Sequence, residues 1–102
     1  MARKGMLVFL AAASVAAADP DFYRLMDEAT ARMHAGMRVA PTRDVDRDFA
    51  AMMIPHHQGA IDMAVLELRF GHDERLRRLA QGIIVEQGQE IQVMRNILGG
   101  GK

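Results

Sequence analysis

Residues 49–64 read FAAMMIPHHQGAIDMA, and the way this stretch winds decides the fold. At about 100° per residue, a helix sets Met52, His56, Ala60 and Met63 on one stripe. Met53, His57 and Ala64 fall on the stripe beside it, so both imidazoles are expected on the apolar side. Arg47, Gln58, Asp62 and Arg69 carry the polar side. An imidazole set into an apolar face needs partners for its ring nitrogens, and the sequence must supply them.

The same period extends outward in both directions. Acidic residues at Asp44 and Asp46 open this helix, and Gly71 closes it as a C′ residue after Phe70. Pro55 lies well inside and is expected to kink it, because proline has no N–H for the carbonyl of Ala51. Ile54, Ile61, Val65 and Leu68 widen the apolar stripe, and Leu66 lies on the far side. A helix this apolar is the central one, contacted from more than one direction.

Upstream, Asp19-Pro20-Asp21 is a helix start with an N-cap, a proline at N1 and an acid for the dipole. Phe22, Leu25, Met26, Ala29, Met33 and Met37 make the stripe of that first helix, with His34 on its flank. Pro41, Thr42 and Arg43 read as a loop. Downstream, Asp73 caps a third helix that ends at Leu98 before three glycines. Leu76, Leu79, Ala80, Ile83, Ile91, Met94, Ile97 and Leu98 form its expected inner face, interrupted by Gln87 and Glu90. Gly82 and Gly88 on its flanks are either close-approach points or incidental. Three helices with short connections give an all-α fold: a small antiparallel up-and-down bundle over residues 19–102.

Residues 1–18 are set apart. Arg3 and Lys4 precede an apolar run from Met6 to Ala13, and Ala16-Ala17-Ala18 follows. This is the pattern of a secretory signal peptide, with cleavage expected after Ala18 and a periplasmic or secreted destination. The run is too short for a bilayer span, so no membrane span is expected after cleavage.

The whole chain has 102 residues, nine Met, no Cys and a formal net charge of zero. One domain is the limit at this length. Charge balance argues against a nucleic-acid surface, and the absence of cysteine removes disulfides and thiolate ligands. So small a core is marginal without a metal or a partner chain. The wide apolar surface of the central helix points to a homodimer.

Three intrusions into apolar faces need a cause: His56 with His57, Gln87 with Glu90, and the share of methionine. One reading is a closed hydrogen-bond network, with Glu90 and Gln87 satisfying an imidazole, in a structural or interaction module. The sharper reading is a metal site. Imidazole nitrogen with thioether sulfur suits copper, Cu(I) above all, with Cu(II) as the second oxidation state. His56, His57, Met63, Met94 and Met52 or Met53 are expected to converge in one layer of the bundle. Met26, Met33 and Met37 add thioethers from the first helix, and His34 stands at the rim. Gln87 and Glu90 then orient the imidazoles. Enzyme patterns are not met: there is no Glu-x-x-His, no His-x-x-x-His, and no Ser beyond Ser14 or Cys for a nucleophile. The chain is therefore read as a non-enzyme.

The spaced residues resemble a known signature. Asp46-x-x-Phe49, then Met53-x-x-His56-His57-Gln58-x-Ala60-Ile61-x-Met63-Ala64, then Gln87-x-x-Glu90-Ile91-x-x-Met94 is similar to the pattern of the domain-of-unknown-function family 305. Met33-His34-x-x-Met37 matches the upstream part. The resemblance implies a ferritin-like helical fold, export and, from some members, periplasmic copper binding and resistance. On it the chain is expected to be an exported copper buffer, chaperone or resistance factor. The short tail after Leu98 adds no Met or His, which argues against high copper capacity.

Overall fold

The computed structural model describes Gly5 and residues 18–100; all but Gly5 and Ala18 of the expected leader lies outside the described residues. Three α-helices follow in order: α1 (Pro20–Gly36), α2 (Val45–Phe70) and α3 (Glu74–Leu98). Among the described residues there is no strand, and no helix is long and apolar enough to cross a membrane. The all-α, antiparallel three-helix reading is borne out.

Each helix starts where a carboxylate takes up otherwise unpaired N–H groups. Asp19 accepts from the Asp21 N–H at 2.9 Å, and Asp44 from the Arg47 N–H at 3.1 Å. Asp73 accepts from the Arg75 and Leu76 N–H groups at 2.9 and 3.2 Å. The Arg75 guanidinium, with those two amides behind it, holds the Asp73 carboxyl below its ordinary value. α2 ends at Gly71 with φ −79°, extended rather than left-handed, so the expected C′ geometry is not used. Instead the Arg77 guanidinium, from the next helix, donates to the carbonyls of Leu68 and Gly71. Pro55 lies inside one continuous α2.

α2 packs against both neighbours, and α1 and α3 do not touch each other among the described residues. The burial pattern of α2 shows how. Ala50, His57 and Ala64 are buried on one side, and Gly59 and Leu66 on the other. By helical geometry those directions are roughly 170° apart. The three rods therefore form a single layer with α2 in the middle.

The two seams differ in character. Between α2 and α3, Ala50, Ile91 and Met94 form a buried cluster against which Met53, Ile54, Ile61 and Leu98 pack. Arg47 spans to the end of α3 and donates to the Leu98 carbonyl at 3.3 Å. Between α1 and α2 the contact is closer. A Cβ on Gly36 would lie 2.7 Å from the Pro55 Cβ, and one on Gly59 would lie 2.6 Å from the Met33 Sδ. Gly82 and Gly88 have nothing within 4 Å of a built Cβ, so the close approaches belong to Gly36 and Gly59. Phe22 and Phe70 close the far end of this seam edge to face.

A single layer leaves two broad faces. Helical geometry places Arg32, Arg47, Arg69 and Arg95 toward one of them. Toward the other it places every exposed large apolar side chain except Val65 and Val85. This corrects the expected inner face of α3: Leu76, Leu79 and Ile97 are more than half exposed, because α3 meets α2 alone. Only Ala80, Ile91 and Met94 of that set are buried.

Candidate metal centre

The paired histidines part company. His57 is buried on the α3 side of α2, while His56, one residue and about 100° earlier, is exposed. The expectation that both point to the buried apolar side is thus corrected for His56. Their rings sit 6.0 Å apart between centroids, edge to face.

His57 has the carboxylate partner expected for it. Its Nε2 meets Glu90 Oε2 from α3. A carboxylate only accepts, so the ring donates from Nε2–H. Its Nδ1 is buried and has no hydrogen-bond partner. A metal-bound imidazole is commonly held in this way, with one nitrogen on a carboxylate and the other free to ligate. Gln87 is half-buried nearby on α3 but makes no hydrogen bond to either imidazole among the described residues. The orienting role expected of the pair therefore falls to Glu90. Met53 and Met94 belong to the apolar cluster of the same seam.

The second donor group lies on the other seam. Met33 of α1 reaches across α2 with its Sδ seated on Gly59. On a helix surface the neighbours of position 59 are at i±3 and i±4: His56 and Met63 toward the open apolar face, Pro55 and Asp62 toward the other. Met33 and Met63 are half-buried and His56 is open to solvent. Two thioethers and one imidazole thus share one patch of α2. Met52, at i−4 from His56, is 38% exposed and extends the patch along the open apolar face.

The single layer of convergent donors does not form. α1 and α3 lie on opposite sides of α2, so Met33, Met37 and His34 cannot meet Met94. Met37 is half-buried as the C-cap of α1, and His34 is exposed on that helix, turned from α2. The predicted site divides in two: Met33, His56 and Met63 at one seam, His57, Glu90, Met53 and Met94 at the other. Among the described residues no three His, Asp or Glu side chains converge on a common point.

A shallow cavity of about 210 Å³ lies elsewhere, lined by Leu25, Ala29, Arg32, Asp62, Val65 and Leu66. It opens toward the charged face, away from the sulfur donors. The sequence reasoning missed Gly59. Its signal was a glycine beside the histidine pair inside a long helix, where a glycine costs about 1 kcal/mol against alanine.

Residues 11–98 fit the family model described as Domain of unknown function (DUF305). No curated protein matches the chain.

Proposed function

The chain belongs to the DUF305 family, and from that premise we propose that it is an exported copper-binding protein, a buffer, chaperone or resistance factor rather than an enzyme. One observation carries the reading. The Met33 thioether is seated on Gly59, with His56 and Met63 among the adjoining positions of the same helix surface. Thioether sulfur is soft, carries no proton and favours Cu(I). The chain lacks cysteine, so methionine is its only soft donor. In this reading Met33, Met63 and His56 hold the ion, with Met52 as the reserve thioether on the open side. The partners are the metal ion and a second copy of the chain.

A second reading has its own support. His57 is buried and paired with Glu90, which is what a satisfied structural histidine needs. His57 then serves the fold alone, and its free Nδ1 is a local deficit of the seam. An anaerobic Cu(I) titration against a competing chelator separates the two. Met33→Leu and Met63→Leu keep the apolar volume and remove sulfur. Each is expected to weaken Cu(I) binding tenfold or more, as is His56→Ala, while His57→Ala acts mainly on stability. Wild-type binding no tighter than that of a Met33→Leu, Met63→Leu double variant would end the copper reading.

A further inference from the structure

A single layer of helices cannot cover its own apolar side, since stable domains bury that side against a second layer. Among the described residues there is no second layer. No large side chain is fully buried among the described residues. Tyr23, Phe49, Met52, Leu79, Val93 and Ile97 instead stand exposed on one face. We propose that a second copy of this chain covers that face, laying α2 against its own copy, so that Met52, His56 and Met63 of both copies share one seam.

The dimensions fit. α2 has 26 residues, which gives a rod about 39 Å long at about 1.5 Å per residue. With α1 and α3 alongside at roughly 9 Å spacing, the face covers roughly 900 Å². A stable interface takes about 800 Å² from each partner. Because α2 is the middle rod, any two-fold axis lying in the interface through its centre sets α2 on its own copy.

Charge selects the orientation. On this face Asp27 and His34 lie on α1, His56 and Glu67 on α2, and Arg75, Glu86 and Glu90 on α3. The perpendicular axis would bring α3 onto α3 and set Glu86 and Glu90 against their own copies. An axis running along α2 instead places α1 of one copy over α3 of the other and keeps those carboxylates apart. The face is thus complementary to itself in area and apolar character, as two-fold association requires.

The shared copper seam rests on the copper reading above, and the interface does not. The test is sedimentation equilibrium of the mature chain with and without Cu(I), with helix content followed by circular dichroism. Wild type is expected at the mass of two chains. Phe49→Glu with Ile97→Glu changes two side chains 62% and 58% exposed, and is expected at the mass of one chain with its helices intact. Val65→Glu with Val85→Glu, the exposed apolar residues off the face, is expected to remain dimeric. A wild-type mass of one chain, or equal disruption by both pairs, overturns the proposal. Cu(I) affinity is expected to fall at least tenfold in the monomeric variant, although it alters no donor. A dimer that binds no Cu(I) refutes the copper reading and leaves the interface standing. A monomeric variant with undiminished Cu(I) affinity refutes the shared seam.

Discussion

Alanine at position 59 is the sharpest probe of how α1 meets α2. Replacing a glycine inside an exposed helix by alanine normally stabilises by about 1 kcal/mol. At Gly59 the new methyl would lie 2.6, 2.7 and 2.9 Å from Sδ, Cγ and Cβ of Met33. The first two contacts relax if the Met33 side chain turns. The third is fixed to the α1 backbone, so α1 itself must shift by a few tenths of an ångström. Overpacking of this kind costs about 1–3 kcal/mol. The net effect of Gly59→Ala is then a loss of up to about 2 kcal/mol. Gly82→Ala is the matched control, because its methyl meets nothing within 4 Å and should stabilise by the full propensity gain. Urea unfolding followed by circular dichroism measures both. Adding Met33→Ala removes Sδ and Cγ, so Gly59→Ala should cost less there, with a coupling of about 1 kcal/mol. Cu(I) affinity should fall for Gly59→Ala and stay level for Gly82→Ala. If Gly59→Ala stabilises as much as Gly82→Ala, Met33 is not seated on α2 and the donor patch loses its basis.

Two other perturbations test the second seam and a helix end. Among the described residues Glu90 is the one side-chain hydrogen-bond partner of buried His57, so Glu90→Ala should cost about 1 kcal/mol in the same unfolding assay; in a His57→Leu background the change should be close to neutral. Asp73 has its carboxyl held below the ordinary value of 3.8, first by the Arg75 side chain and then by the amides of Leu76 and Arg75. The stability it lends is complete above that ordinary value and is lost as pH falls through the lower folded value. Thermal unfolding should therefore weaken more on acidification in wild type than in Asp73→Asn, which still caps α3 but does not titrate; parallel curves would refute the assignment.

The ends of the helices were legible because their causes are local. Asp19, Asp44 and Asp73 each cap within three residues, and Gly99 stops α3 where the spacing predicts. The histidine–carboxylate pair was legible too, since Glu90 interrupts an apolar stripe that needs a reason. Which histidine it serves was not legible. His56 and His57 both sit near apolar positions, and only the places of α1 and α3 around α2 decide that one is buried and the other open. The same long-range fact separates Leu79, expected inside and found exposed, from Met94, found buried. Periodicity marks the apolar side of a helix, but it does not say whether the partner is another helix of the same chain. For glycine, the pattern drew attention to Gly82 and Gly88, while the close contact lay at Gly59, where a methionine from a distant part of the chain arrives.

The isolation of α1 from α3 divides the molecule by its ease of opening. α1 can detach from α2 without disturbing any contact of the α2–α3 hairpin. Hydrogen exchange should then sort the backbone amides into a quick set in α1 and a slow set along Ala50–Ala64 and Ala80–Met94. Met33 rides on the detachable rod, whereas His57 stays clamped to Glu90. One thioether is thereby placed to come and go, and one imidazole to stay.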